Sequence, residues 1–180
     1  KNWIVTYQTD DGPVAWYAYN RDAKKAELLF VSQPELAKYQ LAKMEPVVIK
    51  ARDGFELVSY LTLPVGGTGK NLPLVLNVHG GPWGRDTWGY DPESQWLANR
   101  GYATLQVNFR GSTGFGKAFH NAGNGQWGVG TMQDDLTDAV KWAIDKGGEE
   151  CVGLGGDLDG IDYLPAGFKG AEDYPRIEGL

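Results

Sequence analysis

The sequence predicts an α/β fold preceded by a run of antiparallel strands, and three observations carry that prediction. Residues 1–62 alternate β-rich runs with Asp-Gly turns. From residue 74 onward, strand-like and helix-like segments take turns. One long amphipathic helix closes the alternating part.

The elements follow in chain order. Trp3–Tyr7, Val14–Tyr19 and Leu28–Val31 read as short antiparallel strands, with Asp11-Gly12 as a hairpin signal. Residues 33–45, holding Pro34 and Glu35-Leu36-Ala37-Lys38, read as a crossing segment with a short helix. Val47–Lys50 and Phe55–Leu61 flank Asp53-Gly54 as a second hairpin, and residues 66–70 form a surface loop. Leu74–Val78 is a buried-strand run. Asp91-Pro92-Glu93 starts a helix, with Asp91 as cap and Pro92 at the first helical position, and Gly101 stops it. Ala103–Val107 is the next strand. The clearest helix runs from Gln133 to Lys146, with Thr131 as its cap and Asp134 and Asp135 at its positive end. Leu136, Ala139, Val140, Ala143 and Ile144 make its apolar stripe. Strand–helix alternation implies parallel pairing with right-handed crossovers.

Composition narrows the functional classes. The chain has 180 residues, 42% hydrophobic and 22% charged, which is globular. A net charge of −6 without a Lys/Arg cluster disfavours a nucleic-acid partner. No apolar run approaches the roughly 18 residues of a membrane span, so no membrane partner is expected. A single Cys151 forms no internal disulfide, Cys/His metal spacings are absent, and no cofactor is expected. No charged-then-apolar leader opens the chain, which begins at Lys1; a cytoplasmic location is the expectation, with periplasmic and secreted locations left open.

The chemistry sits in Val78-His79-Gly80-Gly81-Pro82-Trp83-Gly84, directly after a buried strand. Glycines there let backbone N–H groups turn toward a substrate, where they stabilise the oxyanion of acyl transfer. The competing reading is a Gly-Pro turn over a packed histidine.

Context favours the first reading. Residues 77–83, Gln95–Tyr102, Val107–Gly116, Gln133–Leu136 and Asp138–Val140 together resemble the prolyl oligopeptidase family of serine peptidases, in its acylaminoacyl-peptidase and dipeptidyl-peptidase branch. The resemblance covers residues 1–147. It implies a last β-propeller blade and linker at 1–45 and the N-terminal part of an α/β-hydrolase domain at 46–147. It further implies that His79, Gly80 and Gly81 form the oxyanion loop. Trp83 and Arg110 would border a pocket for a short peptide or acyl-ester substrate, Arg110 in a more structural role.

The pattern breaks where the nucleophile belongs. No Gly-x-Ser-x-Gly elbow occurs, and His79 and His120 are the sole histidines, so a Ser-His-Asp triad cannot be assembled in the family's chain order. Residues 148–180 form a divergent tail. Val152–Ile161, Leu164–Phe168 and Asp173-Tyr174-Pro175 resemble the membrane (renal-type) dipeptidases, and a hybrid chain is the simplest account. Aligned on function, Asp157 occupies the nucleophile position, but no general base follows it and Asp159 replaces a glycine of the elbow. Cys151–Gly155 is expected to fill the missing strand position, with Asp157 non-catalytic. Asp157, Asp159 and Asp162 lack the spacing of a calcium loop and read as a solvated acidic turn.

Three functions therefore stay open. The first is a serine peptidase or esterase by ancestry. The second is a non-catalytic partial or hybrid domain that binds a ligand or self-associates through an exposed sheet edge. The third is a metal-dependent dipeptidase-like hydrolase, disfavoured because its ligands are missing.

Overall fold

The computed structural model describes residues 1–128, 130–148 and 151. Within them lie two sheets. Strands β1 (Asn2–Tyr7), β2 (Ala15–Asn20) and β3 (Lys25–Val31) form an antiparallel meander. Asp11-Gly12 lies within a connection from Gln8 to Val14, so it belongs to a longer loop and not to a tight turn. A bulge between Trp16 and Tyr17 leaves Leu29 without a partner.

A 3-10 turn, Pro34–Lys38, carries the chain to the second sheet. There β4 (Met44–Lys50) pairs antiparallel with β5 (Glu56–Thr62) across the Asp53-Gly54 turn. Gly54 adopts φ +86, a region that glycine enters without steric cost. Strand β7 (Ala103–Val107) inserts between β5 and β6 (Leu74–Asn77), giving the order β4-β5-β7-β6. It runs antiparallel to β5 and parallel to β6. The predicted parallel pairing is thus confined to β6 and β7, and the sheet is mixed.

Helix α1 (Pro92–Ala98) connects β6 to β7, and Asp91 caps it by accepting from Ser94 N at 2.7 Å. Helix α2 (Lys117–Asn121) was not anticipated; it is short and nearly all its burial comes from Phe119. Phe119 packs between Phe55 and Phe115, with ring centroids at 5.1 and 5.0 Å. Helix α3 (Gly130–Gly147) begins before the expected start at Gln133. Thr131 is therefore inside the helix and is not its cap. Its backbone N–H donates instead to Oε1 of Gln126, 3.1 Å away, so the capping oxygen comes from the preceding loop.

The core lies between the second sheet and α3. Ile49, Leu57, Leu105 and Val107 from the strands are essentially fully buried against Ala139 and Ala143. Each such aliphatic side chain contributes about 1.5–3 kcal/mol on leaving water. The buried line on α3 is Met132, Asp135, Ala139 and Ala143, while Leu136, Val140 and Ile144 are half-buried. The helix is rotated from the predicted stripe because small alanines allow close approach to the sheet and Asp135 is drawn inward by Arg110. The two sheets are joined by polar contacts. Asp10 accepts from Met44 N at 2.7 Å, and Gln95 of α1 bridges Asp10 O and both backbone groups of Ala42.

Candidate functional site

The expected acyl-transfer loop emerges at the C-terminal end of β6, the end at which open α/β sheets place their ligands. His79 anchors it. Its ring stacks on Phe109 with centroids 4.6 Å apart, and Nε2 lies 2.8 Å from Ser112 Oγ. Ser112 is fully buried and its hydroxyl donates to Phe109 O at 2.6 Å, so the imidazole Nε2–H donates to the serine oxygen. A second tie runs from Thr113 N to Gly84 O at 2.9 Å. The loop after β6 is in this way fastened to the loop after β7.

Sterics explain the glycines. Gly81 has φ +136, and a Cβ there would lie 2.6 Å from Trp83 N and 2.7 Å from Gly84 N. Among the described residues, neither the Gly80 nor the Gly81 N–H donates a hydrogen bond, and both residues are exposed. Two consecutive free amides on a pinned loop form an arrangement that can receive negative charge.

Beneath the loop is a polar layer that the sequence reading missed. Asn108, fully buried at the end of β7, accepts from Asp86 N at 2.8 Å and donates to Asp86 O at 3.2 Å and Val58 O at 3.1 Å. Gln106 Nε2 reaches Asp86 Oδ1 at 3.4 Å, while Asp86 Oδ2 and Gln106 Oε1 are buried without partners among the described residues. Burial pushes the Asp86 carboxyl above the usual carboxylate range, the charge of His79 opposes that shift and Asp91 adds to it. No sequence pattern marks this layer, because its members meet only once β7 lies beside β6.

Of the two residues expected at the pocket border, Trp83 is open to solvent and packs edge-on against Trp127. Arg110 is placed differently: its side chain is 6% exposed and points into the interface with α3. It donates to Asp135 through Nε at 2.8 Å and through Nη2, and to Asp53 through Nη1 at 2.8 Å, with its guanidinium over the Phe55 ring. Those carboxylates occupy it, so its role is to join β7, the β4–β5 turn and α3. Asp157 lies outside the described residues, as do residues 152–155 of the expected strand. Cys151, expected in that strand, donates its N–H to Gly148 O at 3.2 Å, and burial raises its thiol. Among the described residues no group of three or more His, Cys, Asp or Glu could hold a metal. No described helix is long and apolar enough to cross a membrane.

Known proteins share this architecture. Residues 88–150 match the prolyl oligopeptidase family model. Dipeptidyl aminopeptidase BIII of Pseudoxanthomonas mexicana is 48% identical over an alignment covering 93% of this chain and 27% of that protein. The chain belongs to the prolyl oligopeptidase family.

Solved structures share the fold. The Pyrococcus horikoshii acylaminoacyl peptidase superposes with a TM-score of 0.69 at 21% identity, covering 84% of this chain and 24% of that one. A puromycin-hydrolyzing peptidase of Mycobacterium tuberculosis gives 0.65 at 27% identity, covering 79% and 22%. The chain thus spans about a quarter of the length of the relatives it matches. In this prolyl oligopeptidase-family chain, β4-β5-β7-β6 is a partial α/β-hydrolase sheet and β1-β2-β3 is the antiparallel sheet that precedes it.

Proposed function

We propose that residues 46–147 supply the oxyanion-binding side of a serine peptidase that cleaves short peptides or acyl-peptides by acyl transfer. One observation carries the reading: Gly80 and Gly81 present exposed amides, unpaired among the described residues, at the end of a parallel strand, on a loop held by the His79–Ser112 and Thr113–Gly84 hydrogen bonds. Their contribution is electrostatic. Nothing in the 180 residues has the pattern of an activated serine, so the chain by itself is proposed to lack the attacking group. An oxyanion site and binding alone leave a residual acceleration of roughly 10³–10⁴ over water in well-studied hydrolases. Weak activity therefore does not imply a triad. Asp157 is proposed to take no part, and Asp157→Asn is expected to leave any hydrolysis unchanged; loss of hydrolysis in a folded variant would reverse that assignment.

The test splices residues 1–147 to the remaining hydrolase segment of the Pseudoxanthomonas mexicana relative. The spliced chain is expected to react with a fluorophosphonate probe and to hydrolyse p-nitrophenyl acetate and a dipeptidyl p-nitroanilide, while the 180-residue chain is not labelled. Gly81→Ala in the spliced chain keeps the amide, but its Cβ would lie 2.6 Å from Trp83 N and displace the loop, so kcat is expected to fall by roughly 10²–10³, the usual cost of an oxyanion donor moved out of reach. A folded, labelled spliced chain whose turnover ignores Gly81→Ala rules the reading out.

A further inference from the structure

Beside the acyl-transfer loop stands an open corner of two indoles. Trp83, two residues after Gly81, is 51% exposed, and Trp127, from the loop between α2 and α3, is 53% exposed. Their ring centroids are 5.3 Å apart at an interplanar angle of 90°. His120, in the last turn of α2, lies nearly parallel to Trp83 with centroids 6.4 Å apart. Rings at right angles offer a face and an edge to one volume, the arrangement that aromatic groups favour among themselves. Adjacent exposed indoles also form an apolar patch at a place where a binding surface is wanted.

Neither indole owes its exposure to a loose backbone. The Trp83 loop is tied through Gly84 O to Thr113 N. The Trp127 loop holds hydrogen bonds from Gly123 N to His120 O at 3.3 Å, from Asn124 N to Asn121 O at 3.0 Å and from Gln126 N to Gly123 O at 3.2 Å. Gly123 lies backbone to backbone on Gly111, so close that a Cβ would be 2.7 Å from the Gly111 Cα. Gln126 then caps α3. The ring of Trp127 is thereby carried by the same segment, 109–113, that fastens the His79 loop.

We propose that Trp83 and Trp127, backed by His120, form a subsite that seats a neutral aromatic or large aliphatic side chain of the peptide whose carbonyl the Gly80–Gly81 amides receive. The inference rests on the acyl-transfer reading of that loop. Charge selects the occupant. Residues 111–128 contain Lys117 and His120 and no Asp or Glu, and residues 78–85 contain His79 and Arg85 and no acid. From these two stretches a cationic side chain would meet aromatic faces and basic neighbours but no carboxylate. A neutral ring meets the indoles without that repulsion.

The test uses the 180-residue chain, labelled with nitrogen-15, and capped amino-acid amides as probes. Trp83→Phe and Trp127→Phe identify the two indole N–H resonances. N-acetyl-phenylalaninamide is expected to shift both resonances saturably and N-acetylglycinamide to shift neither. N-acetyl-lysinamide is expected to bind at least about tenfold more weakly, a difference near 1.4 kcal/mol. Trp127→Ala is expected to abolish the response at Trp83, and Trp127→Phe to retain it. The proposal is overturned by the absence of a saturable shift, by an equal response to the lysine amide, or by a Trp83 response that survives Trp127→Ala in a chain whose other resonances are native. Hydrolysis of p-nitrophenyl acetate by the spliced chain has no side chain to seat and tests the loop alone, so the two readings fail separately.

Discussion

Arg110 divides one guanidinium between two carboxylates of very different exposure. Asp135 is fully buried, whereas the Asp53 side chain is 45% exposed. Replacing Asp135 with Ala leaves a buried cation without its inner partner and the Arg110 N–H without its acceptor. The expected loss is about 3–5 kcal/mol in urea unfolding; a change below about 1 kcal/mol would refute the assignment. The hydrogen bonds from Arg110 and then from Phe55 N hold the Asp53 carboxyl down at about 2, from an ordinary 3.8. A lowered folded-state pKa adds stability that is present above the ordinary carboxylate range and is lost as pH falls from about 4 toward 2. With that side chain half open to water the gain stays under about 1 kcal/mol. Asp53→Asn is expected to remove that part of the acid dependence, as followed by thermal unfolding against pH. Asp86 has the opposite sign. Its carboxyl is raised, first by burial, so its charged form weakens the fold and stability rises as pH falls through the raised value. Asp86→Asn supplies a donor for the orphaned Gln106 Oε1 and is expected to raise Tm at neutral pH by an amount worth about 1 kcal/mol, with the gain vanishing in acid. A lower Tm at neutral pH would show that the hydrogen bond from Gln106 to the carboxylate outweighs its burial.

At the level of elements, α3 depends on groups that are remote in sequence. Its first turn is capped by Gln126, and its outer face is held by Arg52 of the β4–β5 turn, which pairs with Asp134 at 2.7 Å and Asp138 at 2.8 Å. That pairing lowers the Asp138 carboxyl, chiefly through the hydrogen bond from Arg52. Gln126→Ala is expected to cost about 1 kcal/mol, the usual value of a lost N-cap, and to speed amide exchange in the first turn of α3 before the rest of the helix. Unchanged exchange there would show that the Gln126 oxygen caps nothing. The apolar periodicity of residues 133–146 was enough to place a helix. It could not set the helix rotation, because Asp135, expected only to favour the positive end of the helix, turned inward to meet Arg110. Helix α2 was illegible for a related reason: Lys117–Asn121 is too short for a periodic signal, and one phenylalanine packed on two others accounts for its place.

On the scale of the molecule, the meander β1-β2-β3 is apolar on both faces. Side chains alternate along a strand, and Trp3 and Tyr7 lie on one face while Ile4 lies on the other, all well exposed. Leu28, Leu29 and Phe30 add to this surface from β3. A three-stranded sheet with two open apolar faces associates with whatever covers them. The 180-residue chain is therefore expected to show a concentration-dependent mass in light scattering, and Ile4→Lys with Phe30→Glu to shift it toward the monomer. A strictly monomeric wild-type chain at high concentration would remove that expectation. The free edge of β6 is a second such surface, since that strand pairs on one side only among the described residues.

The sequence by itself determined the order of the strands and of the two longer helices, the Asp91 cap and the Asp53-Gly54 hairpin, and it singled out the loop His79–Gly84. Each is local, a matter of turn residues, capping oxygens or a periodic stripe within a few positions. Only the tertiary structure decided that β7 lies between β5 and β6, and everything polar at the site follows from that insertion. It brings Ser112 to His79, Asn108 to Asp86 and Trp127 to Trp83, pairs separated by some twenty to forty-five positions along the chain. Such contacts require loop closure whose entropic cost is met by the buried sheet as a whole, so no short stretch of sequence can encode them alone.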